Sequence, residues 1–266
     1  MTEILKAALF GIVEGVTEWL PVSSTGHLIL LDALVPLELS RDFGSFFEVA
    51  VQLGAVAAVA VLFSRRLNPL DPSNLRLWGL VLAAVLPSGA VGALTDGWME
   101  ENLHRPAVVG VCLIAYGVFF LLAERRRTPP RITRAEDTDL STALGIGLFQ
   151  CLSLVPGTSR SGATVLGGLL LGASRTAAAE FSFLMALPTM LGACLFRGGK
   201  LVLAGTVFTG TETAALLTGC AVSFSVSLLV IRALLDYVRT HTFAPFARYR
   251  MALGAAVLLT RLTGRI

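Results

Sequence analysis

The sequence predicts an all-α integral membrane protein with six transmembrane helices plus two re-entrant helix-loop-helix pairs, arranged as an inverted-topology repeat. Three observations carry this expectation. Of the 266 residues, 55% are hydrophobic and only 15% are charged, with a mean hydropathy of +0.75, whereas soluble chains carry about 25% charged residues. The apolar residues run in continuous stretches close to the ~20 residues that cross a bilayer. Two regions, one in each half, break this pattern with Pro, Ser, Thr and Gly.

The first broken region is 4–35. Its apolar flanks are interrupted by Glu14-Gly15-Val16-Thr17-Glu18-Trp19-Leu20-Pro21-Val22-Ser23-Ser24-Thr25-Gly26-His27, and a proline beside small polar residues disfavours one continuous helix. Glu14 and Glu18 also spoil the apolar core of a secretory signal, and no small-residue cleavage site follows, so the segment is read as retained. Spans are predicted at 46–63, 77–95 and 106–123, followed by a basic loop, 124–139, with Arg125-Arg126-Arg127, Arg131 and Arg134. The second broken region, 140–173, carries Pro156-Gly157-Thr158-Ser159-Arg160-Ser161-Gly162-Ala163-Thr164, and spans are predicted at 180–196, 214–235 and 250–264.

Residues 1–266 thus read as a single transmembrane domain containing two repeat units, approximately 1–124 and 140–266. Local echoes align the halves: Gly11-Ile12-Val13-Glu14 with Gly147-Leu148-Phe149-Gln150, Leu20-Pro21 with Val155-Pro156, and Ser24-Thr25-Gly26 with Arg160-Ser161-Gly162. Three spans separate the two broken pairs, an odd number, so the halves enter the membrane from opposite faces, which places a ligand site near the midplane. Non-helical backbone at that depth is tolerated only in protein or against a wet cavity. Arginine concentrates on one side of this topology, at Arg65, Arg66 and Arg76, in the 124–139 loop, at Arg175, and at Arg232, Arg239, Arg248 and Arg250. That side is cytoplasmic by the positive-inside rule, which puts both termini, the first broken pair and the loop Asp96-Gly97-Trp98-Met99-Glu100-Glu101 outside.

The net charge of +3 is small and dispersed, which argues against nucleic acid as a partner. Cys112, Cys151, Cys194 and Cys220 sit in apolar segments without CxxC spacing or a neighbouring histidine, as packing residues do.

The two polar blocks carry the chemistry. An ionisable side chain at bilayer depth costs roughly 2.5–3.5 kcal/mol, so two carboxylates, a histidine and an arginine there need a functional reason. Glu14 and Glu18 are spaced i, i+4 and share a helix face, where a divalent cation, Mg²⁺ or Ca²⁺, is the natural partner; acids of a proton or sodium pathway are the alternative. Ser23-Ser24-Thr25-Gly26 and Ser159-Arg160-Ser161-Gly162 each precede an apolar helix, so two helix N-termini offer unpaired N–H groups to phosphate. Arg160 adds a forked guanidinium for bidentate phosphate contact. His27 is the one histidine within a membrane segment, since His104 and His241 fall in connecting loops, and it is the candidate general acid or base. Ser24 is a candidate nucleophile, activated by His27 or Glu18. Attack by His27 itself or by water stays open.

At these residues the chain strongly resembles the undecaprenyl-diphosphate phosphatase family of the bacitracin-resistance type. The resemblance covers nearly the full length, with further matches at Phe47-Glu48-Val49-Ala50-Val51-Gln52-Leu53-Gly54 and from Ser174-Arg175 to Glu180-Phe181-Ser182-Phe183. It implies a multi-pass hydrolase of the bacterial inner (plasma) membrane that removes the terminal phosphate of undecaprenyl diphosphate, recycling a lipid carrier for cell-wall polymers and giving bacitracin resistance. It further implies that Glu14, Glu18, Ser24, His27 and Arg160 form the site, with Ser23, Thr25, Ser159, Ser161 and Thr164 nearby. Gly26 and Gly162 belong to the same substrate-binding runs. A divalent cation, membrane lipids and a homodimer are among the partners the resemblance suggests. A different class of membrane lipid phosphatase places a histidine nucleophile six residues after a Ser-Arg arginine; here that position is Leu166, and no histidine follows Arg160 until His241. A lipid-carrier transporter or flippase is the alternative function, since broken helices in inverted repeats with midplane acids also build transporters. The diphosphate is expected to arrive from the extracytoplasmic face, between the spans near 46–63 and 180–196.

Overall fold

The chain turns back on itself where the two polar blocks fall. In the computed structural model, which describes residues 1–103, 105–125 and 129–262, helix α1 (Glu3–Thr17) ends ahead of Pro21 and α2 (Ser24–Leu34) restarts beyond it. In the second half α6 (Leu140–Leu152) and α7 (Arg160–Leu170) flank Pro156 in the same way. His104, Arg126, Arg127 and the last two residues of the expected span 250–264 lie outside the described residues.

Between and after these broken pairs run long helices: α3 (Arg41–Leu62), α4 (Pro72–Leu103), α5 (Pro106–Arg125), α8 (Arg175–Leu203), α9 (Gly210–Thr240) and α10 (Ala244–Leu262). Among the described residues five of them, α3, α4, α5, α8 and α9, are long and apolar enough to cross a membrane. The expected sixth, 250–264, falls in α10, which carries Arg248, Arg250 and Arg261 within 19 residues and is too charged to qualify by composition. Among the described residues no strand forms; Ile132 and Ala173 make one isolated bridge.

Side-chain caps start several helices. Asp139 accepts the Thr142 N–H at 2.7 Å ahead of α6, and Thr209 with Glu212 forms a reciprocal capping box on α9. The Thr142 N–H and the Ser141 hydroxyl hold the Asp139 carboxyl below the usual carboxylate range.

The helices interlock across the two halves. The short helix α1 packs on α9, and α6 packs correspondingly on α4, while α5 and α10 pair with each other. Glycine permits these approaches: a Cβ on Gly11 would meet the Gly219 carbonyl oxygen at 2.5 Å, and one on Gly147 the Ala84 carbonyl oxygen at 2.1 Å. Polar contacts close both ends of the bundle. At one end Lys6 pairs with Glu3, Ser40 with Glu212, and Lys200 with Asp96. At the other, arginines dominate: Arg66 meets Glu136 and Glu180, and Arg175 meets Glu124. The core between them centres on Trp19, Phe120, Phe181, Phe183 and Phe243, each nearly or fully inaccessible.

Candidate active site

Each break is closed by a serine in an uncommon conformation. Ser23 has φ 71° and Ser159 φ 75°, and among the described residues these are the non-glycine positions with positive φ. Such a conformation costs of order 1–3 kcal/mol and persists only where the surroundings hold it. Here each serine caps the helix it precedes: Ser23 Oγ accepts the Gly26 N–H at 3.3 Å and Ser159 Oγ the Gly162 N–H at 3.1 Å. Gly162 has no room for more, since a Cβ there would sit 2.9 Å from Arg250 Nη1 and 3.0 Å from Ser159 Cβ.

These two caps bring α2 and α7 to one centre. Arg160 donates to Glu18 Oε1 from Nε at 3.2 Å and from Nη2 at 3.0 Å. Its Nη1 donates to the Ser182 carbonyl at 2.8 Å, and its guanidinium lies 5.8 Å from the centre of the Trp19 ring. The other oxygen of Glu18, Oε2, accepts the Ser24 hydroxyl at 2.8 Å. Ser161 Oγ donates to the backbone carbonyl of Glu18 at 2.8 Å, tying the second break to the first. Thr164 donates to the Arg160 carbonyl at 2.9 Å and meets the Ser182 hydroxyl at 2.6 Å. A continuous chain of contacts therefore runs Ser24, Glu18, Arg160, Ser182, Thr164.

Glu14 sits differently. It is fully buried, and neither carboxylate oxygen has a hydrogen-bond partner, while Glu18, Glu48 and Arg160 lie within electrostatic reach. A buried carboxylate with two unanswered oxygens calls for a proton or a cation. The paired role expected for Glu14 and Glu18 thus divides: Glu14 has both oxygens free, and Glu18 has committed one to Arg160 and the other to Ser24. Among the described residues no three His, Cys, Asp or Glu side chains cluster as a metal-binding group.

His27 points elsewhere. Its Nδ1 lies 2.7 Å from the Ser23 carbonyl, which only accepts, so Nδ1 carries the proton, and Nε2 meets the Tyr249 hydroxyl at 2.8 Å. The two rings stack with centroids 5.6 Å apart. The hydroxyl of Ser24 is therefore served by Glu18 and not by His27. Thr25 is half-buried in the first turn of α2, and Gly26 is buried beside Leu113.

Helix α10 contributes what the sequence reading missed. Arg250, counted there among cytoplasmic loop arginines, is instead completely buried. Its guanidinium donates to the carbonyls of Pro21 at 3.1 Å, Gly157 at 2.9 Å, Thr158 at 2.8 Å and Leu113 at 3.2 Å. One side chain thereby clasps both breaks, and its neighbour Tyr249 holds His27. The available signal was an arginine inside Tyr249-Arg250-Met251-Ala252-Leu253, directly ahead of an apolar run.

Residues 7–256 match the family described as bacitracin resistance protein BacA. A protein of Lacticaseibacillus casei named undecaprenyl-diphosphatase is 48% identical over 97% of this chain and 98% of its own length. Similarly named proteins of Enterococcus faecalis, at 47% identity over 97% of this chain and 96% of theirs, and of Streptococcus thermophilus, at 45% over 96% and 92%, align as fully.

Proposed function

Because the chain belongs to the bacitracin resistance protein BacA family, a family of multi-pass membrane proteins, we propose that it hydrolyses undecaprenyl diphosphate to undecaprenyl phosphate and inorganic phosphate. The activity recycles a lipid carrier for cell-wall synthesis and confers bacitracin resistance. The observation that carries this reading onto the residues is the chain Ser24–Glu18–Arg160, assembled from both halves.

The chemistry follows from that chain. Arg160 is aimed by Ser182 and held by Glu18, so an arriving phosphate competes with Glu18 for the guanidinium. As Arg160 turns to the phosphate, Glu18 is freed to take the proton its Oε2 already shares with Ser24. Ser24 Oγ then attacks the terminal phosphorus, the bond from that phosphorus to the bridging oxygen breaks, and prenyl phosphate leaves. The departing prenyl phosphate takes that proton from Glu18, so that in a second step Glu18 accepts a proton from the attacking water and passes it to Ser24 Oγ as the phosphate is released. Ser23, Thr25, Ser159 and Ser161 line the two helix starts that frame the phosphates, while the Gly26 and Gly162 N–H groups are engaged by the Ser23 and Ser159 caps. His27, half-buried on Tyr249, is placed for proton exchange at the rim.

A divalent cation fits the free oxygens of Glu14, and Mg²⁺ suits a site of one carboxylate plus phosphate oxygens and water better than Ca²⁺, which takes six to eight oxygens. When bound it supplies charge neutralisation beside Arg160.

The two halves are read as an inverted repeat with two re-entrant pairs and, counting α10, six spans, in the inner membrane with the arginine-rich end cytoplasmic. Support comes from the exchanged packing of α1 on α9 and α6 on α4, and from the matched serine caps. The same support sustains a second reading, lipid translocation. Phosphate release from a C55 polyprenyl diphosphate by purified protein in vesicles tests hydrolysis; redistribution of labelled lipid without release, in wild type and Glu18→Gln, would leave translocation alone.

A further inference from the structure

Helices α4 and α8 each carry an internal proline, Pro87 and Pro188. Beside Pro188 the two helices part around a cavity of about 420 Å³, closed on its other sides by residues of α3 and α6. Its walls are mostly apolar, from Val85 and Val49 to Phe196, with Asp96 and Arg197 also lining it near Phe196. Gly89 and Gly192 line it with nothing within 4 Å of where a Cβ would stand, so the absence of side chains is what hollows it. Both glycines and Ala193 are exposed, which makes the cavity a groove open along the flank of the bundle.

The deep end differs in kind. There Gln150, 1% exposed, donates through Nε2 to Ser88 Oγ at 2.6 Å and to Thr189 Oγ1 at 3.2 Å. Both hydroxyls give their own protons to helix carbonyls, of Val85 and Met185, so they accept from Gln150 and its Oε1 is left buried without a donor. Ser153 and Leu154 of the second break also line the groove, Leu154 against Gly92, and that break leads into Ser159 and Arg160. Thr189 also stands seven residues from Ser182 on α8, two turns or about 10 Å from the group that holds Arg160. Polar and buried at Gln150, mainly apolar and open along the flank at Gly89, Gly192 and Ala193, and charged only at Asp96 and Arg197 by its mouth, the groove suits a prenyl ester.

We propose that this groove seats the isoprenoid chain of the substrate. The proposal rests on the hydrolase reading and names where the lipid part lies: the first isoprene units run from Gln150 past Gly89 and Gly192, and the remainder continues into the bilayer beside Phe196.

Gly192→Leu and Gly89→Leu start from a Cβ position with nothing within 4 Å, extend into the groove and improve helix propensity. Measured in lipid vesicles with the C55 substrate, each is expected to raise KM about tenfold with kcat within about twofold of wild type. An unchanged KM, or a matching fall in kcat, overturns the proposal. A second measurement does not depend on turnover. In a background lacking Cys112, Cys151, Cys194 and Cys220, Ala193→Cys is expected to react with a thiol reagent and to be protected by farnesyl diphosphate but not by inorganic diphosphate. Equal labelling with and without the prenyl compound, or equal protection by diphosphate alone, also overturns it. Protection without any phosphate release from wild type would sink the hydrolase reading and leave the groove assignment standing.

Discussion

Glu18 and Arg160 stand 142 residues apart in sequence and meet at 3.0 Å, with side chains only 7% and 10% exposed. Removing one partner of such a pair strands a buried charge and costs about 3–5 kcal/mol. Arg160→Ala and Glu18→Gln are therefore expected to lose turnover by at least ~10³-fold, the scale of a phosphate-stabilising arginine. Both variants should also lower thermal stability, Arg160→Ala by stranding the Glu18 carboxylate and Glu18→Gln by leaving the Arg160 guanidinium only a neutral amide oxygen. Phosphate release and melting temperature in detergent check both; near wild-type turnover in either folded variant would refute the two-block site.

Ser24 gives the sharper chemical test. Its hydroxyl is already bonded to Glu18, so acid-quenched turnover should yield protein phosphorylated at Ser24, detectable by mass spectrometry. Ser24→Ala should retain less than about a thousandth of the wild-type rate. Substantial rate without the hydroxyl would assign the attack to His27 or to water.

Glu14→Gln separates charge from shape. The amide removes a buried carboxylate whose oxygens lack a hydrogen-bond partner and which lies beside two further acids, Glu18 and Glu48, so the variant should melt no lower than wild type without metal. Mg²⁺ should raise the melting temperature of wild type and leave that of Glu14→Gln unchanged. Equal stabilisation of both would remove Glu14 as the cation's seat.

Arg250→Met should loosen both breaks together. The substitution leaves up to four carbonyls unanswered, at about 1–3 kcal/mol each where water cannot reach. Hydrogen exchange should accelerate in 18–26 and 153–163 at once, while α3 and α9 keep their protection. Acceleration in only one of the two segments would show that the clasp is not shared.

The sequence revealed what local composition encodes. Pro21 and Pro156 within longer runs of Ser, Thr and Gly located both breaks, because a missing N–H among several small polar residues disfavours a helix, whereas the single prolines Pro87 and Pro188 are carried inside α4 and α8. Charges inside apolar surroundings located Glu14, Glu18 and Arg160, since the bilayer penalises them whatever their partners. Partners themselves were not legible. Tyr249 reaches His27 across 222 residues, and nothing local to either marks the pair. Arg250 was misplaced because the positive-inside pattern weighs every arginine alike, and only packing shows one to be a core residue. The committed oxygens of Glu18 were hidden for the same reason: spacing places two acids on one face but does not say what each already holds.

The position of Arg250 in the chain has a consequence for biosynthesis. Synthesis proceeds from the N-terminus at about 5–20 residues per second, so both broken pairs are made and delivered to the membrane well before α10 exists. Until Arg250 arrives, the carbonyls of Pro21, Gly157 and Thr158 lack their shared donor and the strained serines have less to hold them. The newest segment thus completes the oldest. A ribosome-bound nascent chain stalled before residue 250 should hold nearly every residue of the candidate catalytic centre and still be inert.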